Sequence, residues 1–193
     1  MAIPHSPPVN RPSDPTPARA GDDCGVFAIR IAADGTWHHR GSPITRPALV
    51  RLFARALKRD AAGDYWLQTP VERGRIEVED APFVAVEVIN EGHGETQRLR
   101  FRTNIDEWVT ADADHPLRMR AAPGKTRPAG GPRPYLSLDG GLEALVARPV
   151  YYRLVELAVE REVNGAPAVG VWSDCAFFPL AVGDDAVADP DAP

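Results

Sequence analysis

Nowhere in the 193 residues does an apolar run approach the length of a membrane-spanning helix, which needs ~18 such residues. The N-terminus also lacks the basic start and apolar stretch of an export signal. Cysteine is scarce, and with no export signal Cys24 and Cys175 read as reduced thiols rather than a disulfide. Cytoplasmic residence and no membrane span are therefore expected. Positive charge is short as well. A formal net charge of −5 excludes the overall basic footprint of a general nucleic-acid binder. Motifs that specify a reaction are missing: there is no phosphate-binding loop, GxGxxG, GxSxG, HExxH or paired CxxC. No cofactor, metal or catalytic residue is expected on this basis.

Proline, by contrast, is abundant at the start. Residues 1–22 hold six prolines and almost no apolar run, too little to offset the entropy of ordering them. Residues 184–193 are acidic and Ala/Pro-rich, so both ends read as tails around a folding unit of 23–183.

Within that unit the periodicity of a sheet dominates. Phe27, Ile29 and Ile31 alternate as in a half-buried strand, Asp34-Gly35 is a hairpin-turn signal, and Thr36–Arg40 reads as the returning strand. A helix follows, with Thr45 as the predicted N-cap and Pro47 in its first turn. Its apolar stripe is Leu49, Leu52, Phe53, Ala56 and Leu57. Strands are then predicted at Tyr65–Gln68, Arg75–Glu79 and Leu99–Thr103, and at Leu117–Arg120. Phe83–Ile89, nearly continuous in apolar residues, reads as a central strand covered on both faces. Residues 121–134 read as a long loop.

Beyond that loop the opening order returns. Asp139-Gly140, a strand from Leu142 to Val146, Arg148-Pro149 and a second helix repeat it. The second stripe, Tyr151, Leu154, Val155, Ala158 and Val159, lies 102 residues after the first. Arg46-Pro47 then matches Arg148-Pro149, Gly63 matches Gly165, and Val169–Trp172, taken as the final strand, matches Tyr65–Leu67. The expected fold is α+β: two β-rich subdomains related by internal duplication, each a strongly bent antiparallel sheet with one amphipathic helix. Residues 23–103 would form the N-terminal repeat and 104–183 the C-terminal one.

Two polar groupings carry candidate chemistry. Thr69, Glu72, Glu79, Asp80, Asn104, Asp106 and His115 fall at strand ends, where they could do acid/base work, hold a divalent cation, or simply cap turns. Residues 98–133 hold eight Lys/Arg against four acids, with Arg118 and Arg120 on one strand face. Guanidinium forks in that arrangement suit phosphate or carboxylate, and the plainer reading is a solvated sheet face. Arg46 and Arg148, at matching repeat positions, mark the junction between halves as a place for a ligand.

Longer strings carry a family resemblance. They include Asp34-Gly35-Thr36-Trp37, Arg40-Gly41-Ser42-Pro43-Ile44, Tyr65-Trp66-Leu67, Thr69-Pro70-Val71-Glu72 and Ile76-Glu77-Val78-Glu79-Asp80-Ala81-Pro82-Phe83. Thr103-Asn104, His115-Pro116-Leu117, Pro134-Tyr135-Leu136, Gly141-Leu142-Glu143-Ala144-Leu145 and Val171-Trp172-Ser173 continue it. Across about residues 23–182 the chain resembles the bacterial family called domain of unknown function 1285 (DUF1285). The resemblance implies a duplicated β-rich core whose C-terminal half is pleckstrin-homology-like. It also implies a nucleotide-like ligand between the halves and a place in signal transduction. It supplies no catalytic residues. Asp174-Cys175 depart from the small residues expected after Trp172-Ser173, which argues against a tight glycine turn there.

The functional expectation is a non-enzymatic regulatory module binding a small anionic ligand. Arg46, Arg118, Arg120 and Arg148 would hold phosphate, and Glu72, Asp80, Asn104 and His115 would read polar edges. The alternatives are a metal-dependent hydrolase built on the acidic and histidine groups, or a scaffold for a protein partner.

Overall fold

The computed structural model describes residues 23–121 and 131–183. Both expected tails and most of the 121–134 loop lie outside these residues. Seven elements come first: β1 (Asp23–Ile31), β2 (Trp37–His39), β3 (Ser42–Pro43), α1 (Pro47–Ala56), β4 (Leu57–Arg59), β5 (Tyr65–Gln68) and β6 (Arg73–Val78). Their strands form one six-stranded sheet in the order β3-β2-β1-β6-β5-β4. A second six-stranded sheet follows, built from β7 (Phe83–Glu91), β8 (Arg98–Thr103), β9 (Trp108–Thr110), β10 (Leu117–Arg120), β11 (Arg133–Ser137) and β12 (Glu143–Val146), in the order β10-β11-β12-β7-β8-β9. The helix α2 (Arg148–Glu156) then leads into a three-stranded sheet of β13 (Val159–Val163), β14 (Ala166–Ser173) and β15 (Ala176–Val182).

The fold is thus α+β and β-rich, with two similar halves. Each has a hairpin, a short helix opened by proline, and an antiparallel three-stranded meander (β4–β6 and β13–β15). Neither six-stranded sheet is wholly antiparallel. β1 pairs parallel with β6, and β12 pairs parallel with β7, because each joins strands that are distant in sequence. The first sheet closes at Val78 and the second opens at Phe83, so the expected division after residue 103 falls within the second sheet. Val169–Trp172 is not the last strand, because β15 follows through a turn that contains no glycine. Asp174 and Cys175 both adopt positive φ there (48° and 65°). That strained pair is held by its backbone, Asp174 N–H donating to the Gln97 carbonyl and Cys175 N–H to that of Glu95.

The helices form where the proline signal placed them, and each shows its predicted face in part: Phe53, Ala56 and Leu57 of the first stripe and Tyr151, Leu154 and Ala158 of the second belong to the core or pack against it, whereas Leu52, Val155 and Val159 are exposed. Arg46, not Thr45, is the α1 N-cap, and no side chain caps it. Leu52 is 61% exposed, while Ala54 and Leu57 are buried and Phe53 stacks on the buried Trp37 with ring centroids 6.2 Å apart. In α2, Val150 and Leu154 are buried and Val155 is 49% exposed. One core cluster runs through both large sheets, from Ile31 and Trp37 to Phe101, Leu136, Leu154 and Val171. Burial of each large side chain contributes on the order of 1.5–3 kcal/mol before entropy is subtracted. Only the start of β7 is covered on both faces. Phe83, Val84 and Ala85 are buried, whereas Val86 and Ile89 reach solvent.

Candidate functional site

The segment joining the two large sheets places Asp80 at their junction. Its side chain is 4% exposed, and it is fully engaged: Arg133 Nη1 donates to Oδ2 at 2.6 Å and the Tyr135 hydroxyl to Oδ1 at 2.8 Å. Burial, then the bond to Asp80, pushes the Tyr135 phenol up to about 12. The Arg120 guanidinium lies 3.7 Å over the Tyr135 ring and donates to Glu143 at 2.9 Å. Arg59, from the first sheet, reaches the same Glu143 carboxylate at 3.5 Å. A cleft of about 520 Å³ opens beside this network, lined by Arg59, Arg75 and Arg120 and by Asp64, Glu77 and Asp80. Its charges are balanced, and Arg75 is itself paired with Asp64.

A second cavity, of about 550 Å³, is lined by residues of β11, β12 and the start of α2. Buried Leu145 and Val146 line it together with Arg133, Arg148, Tyr151 and Tyr152. Among the described residues no carboxylate contributes to that lining. Arg148, exposed at the first turn of α2, has no partner among the described residues, and Tyr152 is 57% exposed. The position of Arg133 follows from sequence: Pro132 and Pro134 flank it, restricting the backbone on either side.

The eight predicted ligand residues do not converge. Asp80 and Arg120 line the junction cleft, and Arg148 lines the α2 groove. Arg46 caps α1 and does not line that groove, so the matching arginines share no cavity there. Glu72 belongs to a tight turn, its amide bonded to Thr69 Oγ1 at 3.0 Å. Asn104 ties the halves together, accepting from the Val84 amide at 3.1 Å and donating to the Gly35 carbonyl at 3.2 Å. His115 lies between Asp112 (3.2 Å) and Asp139 (3.4 Å). Burial works against the Asp112 carboxylate, yet bonds from the His115 amide and ring hold its pKa below the usual value. Arg118 is exposed on β10.

The wider groupings separate too. Glu79 pairs with Arg30, and Asp106 with Arg51 and Arg102. The β8 arginine stripe is neutralised across its face, Arg98 by Asp174, Arg100 by Glu91 and Arg102 by Glu87. Among the described residues no three His, Cys, Asp or Glu side chains are grouped to hold a metal ion, and no helix is long and apolar enough to cross a membrane. At the sequence level Arg133 counts in the basic surplus but falls in an apparent linker, and Tyr152 is not singled out; Tyr151, assigned to the apolar stripe of the helix, packs against the core and also lines the groove.

Comparison with known proteins places the chain in a family. Residues 14–81 match the model of the DUF1285 N-terminal domain, a domain of unknown function, and residues 82–180 match that of the C-terminal domain. A DUF1285 family protein from Silicibacter pomeroyi DSS-3 superposes with a TM-score of 0.75 at 40% identity, over 87% of this chain and 90% of that one. Another, from Shewanella baltica OS155, gives 0.50 at 28% identity, over 66% and 90%. Curated proteins give no match. The chain belongs to the DUF1285 family.

Proposed function

We propose that this chain is a non-enzymatic binding module for a small anionic, nucleotide-like ligand, acting in cytoplasmic signal transduction with a protein partner as its output. The repeated order of hairpin, helix and meander supports an origin by internal duplication. The ligand site is assigned to the α2 groove rather than to the cleft between the sheets. One observation carries the choice: among the described residues the groove is lined by two arginines and no carboxylate, whereas the junction cleft balances three arginines with three acids. An anion entering the cleft would have to break existing ion pairs, while Arg148 in the groove has no partner among the described residues. Tyr151 and Tyr152 offer ring faces for a base beside that charge. The volume of about 550 Å³ falls within the usual range of small-ligand sites.

Thermal-shift and calorimetric titration with a panel of nucleotides tests the reading. Stabilisation near millimolar concentration is expected, with Arg148→Glu weakening affinity by about tenfold or more through loss of a charge-assisted bond. The absence of any stabilisation by the panel would overturn the proposal.

A further inference from the structure

The charge bookkeeping of the α2 groove points to the class of phosphate it accepts, an inference that rests on the reading above. Its two arginines are not equivalent. Arg133 spends one N–H on Asp80, whose carboxylate is almost wholly buried and receives a second bond from the Tyr135 hydroxyl. Releasing Arg133 would leave a buried carboxylate without its counter-ion, which is strongly unfavourable. Arg133 therefore stays on Asp80 and turns its remaining donors to the groove, as its 39% exposed side chain allows. Electrostatically the Arg133–Asp80 pair is close to neutral. Among the described residues of the lining, Arg148, which has no partner there, is the one uncompensated charge.

We infer that the groove selects a monoanionic phosphodiester over a phosphate monoester. A diester carries one negative charge, which Arg148 balances, and its second free oxygen can accept from Arg133. A monoester carries about −1.5 to −2 at neutral pH. Its second charge would enter a site lined by the buried Leu145 and Val146, with no further free cation among the described residues of the lining to neutralise it. Asp80 then acts as a positioning residue. It orients Arg133 and at the same time sets the charge that the groove tolerates.

The experiment compares adenosine 3′,5′-cyclic monophosphate with adenosine 5′-monophosphate, with adenosine as the uncharged control. The open-chain diester adenylyl-adenosine separates a cyclic source from a linear one. Calorimetry on the full chain should give an affinity for at least one diester about tenfold above that for the monoester, one opposite charge being worth on the order of a decade at a partly buried site. Lowering the pH from about 8 to about 5.5 protonates the monoester, whose second pKa is about 6. Its binding should then approach that of the diester, which itself stays constant. In Asp80→Asn the ratio should shift toward the monoester, which a merely structural role for Asp80 would not produce. The pH series on the unaltered protein stands even if that variant fails to fold. Equal or tighter binding of the monoester at pH 8 overturns this inference and leaves the ligand site standing. Failure of every nucleotide overturns both.

Discussion

The two helices begin alike and end up serving opposite purposes. Each is entered through Arg-Pro, runs nine or ten residues and feeds an antiparallel meander. Around the start of α1 the space is smaller. Phe53 stacks on Trp37, Arg51 reaches Asp106 of the second sheet at 3.2 Å, and the cavity beside the first turns is only about 220 Å³. Around α2 the first turn stays open, and Arg148 and Tyr152 face a cavity more than twice that size. Repetition of an element order therefore does not repeat a site. What distinguishes the halves is which neighbour fills the space over the helix start.

Positions aligned by the 102-residue offset make the sharpest test. Leu52 and Leu154 coincide in sequence, yet one is 61% exposed and the other fully buried. Leu154→Ala should destabilise the chain by about 3 kcal/mol, and Leu52→Ala by under about 0.5 kcal/mol. Chemical denaturation of the two variants measures both. Equal losses would mean that the helices present the same face after all.

The two Asp-Gly turns give the next contrast. Gly35 and Gly140 both sit at positive φ, 81° and 67°. A Cβ on Gly35 would lie 2.7 Å from Asn104 Nδ2 and 2.8 Å from Val84, the point where Asn104 clamps the halves together. A Cβ on Gly140 meets nothing within 4 Å. Gly140→Ala should cost about 1 kcal/mol, the left-handed conformational term alone. Gly35→Ala should cost about 2–3 kcal/mol, because overpacking adds to it. Similar melting of the two variants would show that the Asn104 clamp yields freely.

Those same residues show what the sequence could and could not convey. Period-two strands were legible to the residue where one face is polar, as at Tyr65–Gln68 and Leu117–Arg120. Helix existence was legible from proline and spacing, and helix phase only in part. Val50, Phe53, Ala54 and Leu57 fit an i, i+3, i+4, i+7 pattern as well as the stripe containing Leu49 and Leu52, and only contact with Trp37 decides between them. The candidate site was legible in part. Asp80 stood out as a polar residue at a strand end, Arg120 on a basic strand face and Arg148 at a matching repeat position. Arg133 did not, because two flanking prolines read as a linker while the strand beginning there was set by pairing with β10. Whether an arginine is neutralised depends on cross-strand partners, and register is a property of the folded sheet.

The smallest expected effect contrasts two tyrosines, one from each large sheet. Burial raises the pKa of both above the usual 10.0, and Tyr135 is held at about 12 because Asp80 adds to burial. At Tyr65 the Arg59 guanidinium, 5.4 Å from the ring centroid, works the other way. A phenol whose pKa is higher in the folded chain contributes stability that is complete below its unfolded pKa of about 10. That contribution drains away as pH climbs toward the folded value of about 12. Denaturation midpoints should therefore fall between pH 10 and 12. Tyr135→Phe should flatten the fall, at the expense of one bond to Asp80 at neutral pH. Tyr65→Phe should flatten it less. An alkaline profile unchanged by Tyr135→Phe would place the loss elsewhere, and would remove the Asp80–Tyr135 bond as a distinguishing mark of the second half.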